Sequence, residues 1–141
     1  MMSYARFGAI GFCLWGLLHV VGAAYILITT HTSGPGAGYM IYGHDGAALP
    51  AAAGGILSYF AYLLAISGLT SIFVALKFNW SNSQVGLTLN TMLVAAVELG
   101  LVLFLILPGY LSIADALPGL GLFGFAAIFG GVACRRDPSH V

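Results

Sequence analysis

Residues 7–29 read FGAIGFCLWGLLHVVGAAYILIT, an apolar run interrupted by one titratable imidazole, His19. A bilayer core of roughly 30 Å takes about 20 helical residues at about 1.5 Å rise each, so this run is long enough to cross one. Three further runs follow at residues 52–76, 85–107 and 117–134, the last being the shortest. In hydrocarbon every backbone N–H and C=O needs an internal partner, so such runs are expected to be helices. None alternates apolar with polar residues as a barrel strand does. The expected fold class is all-α, an integral membrane four-helix bundle with four transmembrane spans. Residues 1–141 form a single domain in this reading, with a long outer loop at 30–51.

Composition narrows the function classes. The 141 residues are 60% hydrophobic and 6% charged, four Lys+Arg balance four Asp+Glu, and the mean hydropathy is +1.02. A soluble domain carries about 25% charged residues. So few charges exclude a water-soluble monomer, and so much apolar content excludes a disordered chain. No basic patch is present to neutralise phosphates, which argues against a nucleic-acid partner.

The few charges set an orientation. Arg6 precedes the first run, Lys77 ends the second, and Arg135 and Arg136 follow the fourth. Four spans bring all of these to one side, which the positive-inside tendency makes cytoplasmic. Both termini are then inside, in a plasma or bacterial-type inner membrane. Asp45 and Asp115 fall on the opposite side, and Trp80 and Tyr110 at interface positions. The first run is longer than a signal-peptide core, and Val21-Gly22-Ala23-Ala24 only faintly resembles a cleavage site. It reads as a retained anchor.

The inner connection, 78–84, is short and polar (Asn79, Ser81, Asn82, Ser83), which predicts an antiparallel hairpin. The outer connection, 30–51, carries His31, Tyr39, Met40, Tyr42, His44 and Asp45. It reads as a cap, as a docking surface, or as a thin donor set (His31, His44, Asp45) for copper or zinc. Asp115 and Pro118 suit the first turn of the last helix.

Helical spacing gathers Gly8, Gly11, Phe12, Trp15, His19, Gly22, Ala23 and Ile26 on one face of the first helix. Gly124, Ala127, Gly131 and Cys134 form a stripe on the fourth. Small residues so spaced let helix backbones approach closely, either within the bundle or against a partner. Gly119, Gly121 and Gly124 match the spacing of a dinucleotide fingerprint, but without the strand and βαβ unit that fingerprint requires.

Ionisable groups inside a bilayer are costly and mark candidate sites. Here they are His19 and Glu98, which residue counting places at nearly the same depth, with Tyr59 and Tyr62 at about that level on the second helix. The expected arrangement is a buried His19–Glu98 pair with one tyrosine nearby, serving as a clasp between helices, a proton relay or a ligand site. A second polar level (Ser67, Thr70, Ser71, Thr88, Asn90) suggests interhelical hydrogen bonds. Cys13 and Cys134 have no zinc-like spacing. His19 supplies one axial ligand for haem, which would need a second from another subunit.

No nucleophile–base spacing or paired carboxylates point to an enzyme. The function expected is that of a non-catalytic accessory or structural subunit packing against a larger membrane complex. Its partners would be the lipid bilayer and other membrane subunits, or further copies in a homo-oligomer. The alternatives are an oligomeric proton-coupled carrier or channel, or a membrane enzyme or cofactor holder, built on the midplane pair.

Overall fold

The structure, a computed structural model, describes residues 3–36 and 51–136. His44 and Asp45, with Met40, lie outside the described residues. Four long helices account for most of what is described: α1 (Tyr4–Ser33), α2 (Ala51–Lys77), α3 (Gln84–Leu101) and α4 (Ile113–Arg136). Each, with its flanking turns, is long and apolar enough to cross a membrane. Apolar residues surround the helices rather than forming a narrow stripe. Leu17, Val21, Ile28, Ile56, Phe73 and Phe104 all stand exposed.

Local chemistry explains the boundaries. α2 ends in a 3₁₀ turn (Asn79–Ser81) whose last step is Asn82 at φ 62°, a left-handed conformation that asparagine tolerates better than most residues. Ser83 then caps α3, its Oγ accepting from the Gly86 N–H at 3.3 Å. The hairpin therefore closes within the short polar segment. α4 starts at Ile113, ahead of the expected 117, because Ser112 caps it. The Asp115 N–H donates to Ser112 Oγ at 3.2 Å, and that hydroxyl donates to Asp115 Oδ2 at 2.6 Å. This reciprocal capping moves Pro118 into the second turn. α3 does not end as an α-helix. Val102–Ile106 form a π turn, in which the Leu107 N–H reaches back to the Val102 carbonyl at 2.9 Å.

α1 is the hub of the bundle. It lies against α2 and α4, and α3 closes the ring by meeting the same two helices. α1 and α3 therefore face each other across the diagonal. Small residues set the close sides of this ring. Gly16 of α1 crosses Gly68 of α2 so tightly that a Cβ on Gly16 would lie 2.4 Å from the Gly68 carbonyl oxygen. Large residues fill the wider diagonal: Phe12 and Trp15 of α1, fully buried, meet Val94 of α3, with Ala75 of α2 and Ala126 of α4 at the sides.

The packed face of α4 differs from the expected stripe. Ala116, Gly119, Ala126, Gly130 and Ala133 turn inward, and a Cβ on Gly8 would come 2.8 Å from the Gly130 nitrogen. Gly124 and Gly131 lie on another side, where an added Cβ would meet nothing within 4 Å, and Ala127 is half-buried. Gly22 of α1 likewise has nothing within 4 Å of an added Cβ. α4 is small-sided nearly all round, so periodicity alone offers two neighbouring stripes. The inward one is the side that meets Gly8, Gly11 and Glu98.

Candidate functional site

Glu98 lies nearly four turns from the start of α3 and is 3% exposed. Trp15, one turn before His19 on α1, donates its indole N–H to Glu98 Oε1 at 2.6 Å. The spacing of four residues stacks the Trp15 and His19 rings, with centroids 3.8 Å apart and planes at 27°. His19 Nδ1 lies 2.8 Å from the Trp15 carbonyl oxygen. A carbonyl only accepts, so Nδ1 carries a proton and donates. That orientation aims Nε2 at Glu98 Oε1 across 4.0 Å. This distance gives electrostatic contact without a direct hydrogen bond.

α4 closes the site from the side. A Cβ on Gly119 would stand 2.9 Å from Glu98 Oε1, so the carboxylate fits only against bare backbone. Glu98 Oε2 is buried and has no hydrogen-bond partner. Three helices thus enclose one carboxylate that has a single strong donor, a nearby imidazole and one open acceptor. The π turn begins four residues after Glu98; such turns within helices recur at functional sites.

Residue counting placed Tyr59 and Tyr62 at this level, but the structure turns both outward, 65% and 57% exposed. They take no part in the buried cluster. The inner face of α2 is set instead by Ala61, Gly68, Ser71 and Ala75. Helical spacing gives Trp15 a packing role alone; the structure adds its role as donor. The signal was available, since a buried indole N–H generally finds an acceptor and Glu98 is an acceptor at matching depth.

The second polar level is narrower than expected. Ser71 Oγ donates to the Phe12 carbonyl at 3.2 Å, and Asn90 Nδ2 donates to the Ser71 carbonyl at 3.1 Å. These bonds tie α1, α2 and α3 together. Thr70 and Thr88 are exposed. His31 sits near the far end of α1 and pairs with Ser58 of α2 at 3.1 Å. Of the donor set His31, His44 and Asp45, only His31 is described. Among the described residues no three His, Cys, Asp or Glu side chains gather as a metal site.

Known proteins offer no match to set beside this geometry: no family model, curated protein or solved structure matches the chain.

Proposed function

We propose that this is an integral membrane protein with both termini cytoplasmic, acting as a non-catalytic accessory subunit that packs against another membrane-embedded helix. The observation that carries this reading is the free stripe on α4. Gly124 and Gly131, with Ala127 between them, are left over after the bundle has used Gly119, Ala126 and Gly130 internally. Facing lipid, a glycine contributes little contact; facing another helix, it permits close backbone approach and interhelical packing. The sealed Glu98 cluster fits the same reading as a clasp that fixes which helices meet.

Purification in a mild detergent at native abundance, with mass spectrometry, tests this. The expected result is a stoichiometric membrane partner that Gly124→Leu and Gly131→Leu displace while the bundle keeps its helicity. Both substitutions project into open space, so loss of partner without loss of fold is a clean outcome. Recovery of the chain alone, or of an unchanged complex from both variants, counts against the proposal.

A second reading is favoured by one specific feature. The unpartnered, buried Glu98 Oε2 beside the His19 imidazole is the kind of group a proton-coupled carrier uses near the bilayer midplane. Reconstituted vesicles would then show pH-dependent flux that Glu98→Gln abolishes, and a partnerless purified chain would favour this reading over the first.

A further inference from the structure

All four basic residues of the chain lie at one end of the bundle, and two of them, from opposite ends of the sequence, share a cleft. The cleft has a volume of about 290 Å³ and includes Ser3, Tyr4, Arg6, Trp80, Ser81 and Arg136 in its lining. The Arg6 guanidinium lies over the Trp80 ring, 5.6 Å from its centroid, and that of Arg136 over Tyr4 at 4.6 Å. Both separations are within cation–π range, and a guanidinium has five N–H donors in a fork that suits a phosphate. The two described carboxylates are elsewhere: Glu98 is buried mid-bundle and Asp115 caps α4 at its other end. The cleft also receives the start of α1. Ser3 is its N-cap and makes no side-chain capping bond, while the first N–H groups and the positive end of the helix dipole point the same way.

We infer that this cleft is a binding site for the phosphate of an anionic phospholipid headgroup, clamped between Arg6 and Arg136. The shared chemistry is a phosphate anion. The lipid source is preferred because the cleft opens at the end of apolar helices, beside the half-exposed aromatic rings of Trp80 and Tyr4, residues typical of a membrane–water boundary. The inference rests on the membrane part of the proposed function and is independent of the accessory role.

The test uses the full chain, delipidated in a mild detergent and offered phosphatidylglycerol with phosphatidylcholine. Native mass spectrometry then counts what is retained. One phosphatidylglycerol per chain is expected. Arg6→Gln and Arg136→Gln should each lower its retention by about tenfold or more, as loss of a charge-assisted hydrogen bond predicts. Arg135→Gln removes the same charge from the same end but outside the cleft, and should lower retention by about fivefold at most. Arg6→Lys and Arg136→Lys, which keep the charge and the stem, control for misfolding and should retain more lipid than the Gln variants. Equal effects of Arg135→Gln and the cleft variants would mean diffuse attraction and overturn the site. So would equal retention of phosphatidylcholine. Displacement of the lipid by millimolar inorganic phosphate would overturn the lipid assignment in favour of a soluble anion. If the chain instead stays dissolved without amphiphile, the membrane reading itself fails, which is distinguishable from all of these outcomes.

Discussion

Trp15 and Glu98 join the two helices that face each other across the bundle diagonal through one 2.6 Å hydrogen bond. Among the described residues no other side-chain hydrogen bond links α1 directly to α3. Removing its donor strands a buried carboxylate, whereas removing both partners leaves an apolar gap. Trp15→Phe is therefore expected to cost about 2 kcal/mol, within the range for hydrogen bonds to charged groups. Combined with Glu98→Leu it should cost less than the sum of the two single changes, by about 0.5–3 kcal/mol of coupling. Thermal unfolding in detergent, followed by circular dichroism, measures this. Strict additivity would mean that the bond contributes nothing as a pair.

Gly119→Ala should destabilise the bundle by about 1–3 kcal/mol, because its methyl would sit 2.9 Å from Glu98 Oε1 and the site has little room to yield. Gly121→Ala, two residues on, meets nothing within 4 Å and should be neutral or stabilising by up to about 1 kcal/mol through helix propensity. Glu98→Ala in the Gly119→Ala background should recover the part of the loss caused by the clash. Melting temperatures of the three variants decide it; equal losses at 119 and 121 would refute the close fit.

Gly16→Ala should be the most damaging single methyl in α1. It would press on the Gly68 carbonyl oxygen at 2.4 Å, backbone against backbone, where no side chain can rotate away. A loss of about 3 kcal/mol, at the upper end of ordinary overpacking, is expected. Gly22→Ala on the same helix points into open space and should leave the stability within about 0.5 kcal/mol of wild type. Comparable losses from both would place the α1–α2 crossing elsewhere.

His31→Ala should be mild. The Ser58–His31 contact is exposed, and substitutions of that kind usually change stability by about 0.5 kcal/mol or less. Equilibrium binding of copper or zinc to this variant and to wild type reads the other role considered for His31. Unchanged binding would remove His31 from any metal site.

The helices were legible in the sequence because length and apolarity alone define them, and their ends were less so. α4 begins at Ile113 rather than 117 because the Ser112–Asp115 cap precedes the apolar run. Depth was legible too, since rise per residue is constant: His19 and Glu98, placed at one level by counting, lie 4.0 Å apart. Azimuth was harder. The same counting puts Tyr59 and Tyr62 beside the pair, but both face away from the bundle on α2, where Ala61, Gly68 and Ala75 recur every seven residues and carry the interface. In α4, small residues on two adjacent stripes left the choice open, and only the fit against Gly8 and Glu98 resolves it. Helices that are apolar all round carry little information about which way they face.

The position of Gly119 has a temporal consequence. Helices made first can associate first, and α1, α2 and α3 already hold Trp15, His19 and Glu98. Yet the backbone that seals the carboxylate belongs to α4, which leaves the ribosome after the other three. Until it arrives, the acid stands open along one flank, and so does the Gly8–Gly11 side of the hub. A nascent chain stalled before Ile113 would thus present both a titratable group and a sticky glycine surface to whatever neighbours it, and completing α4 is what retires them together.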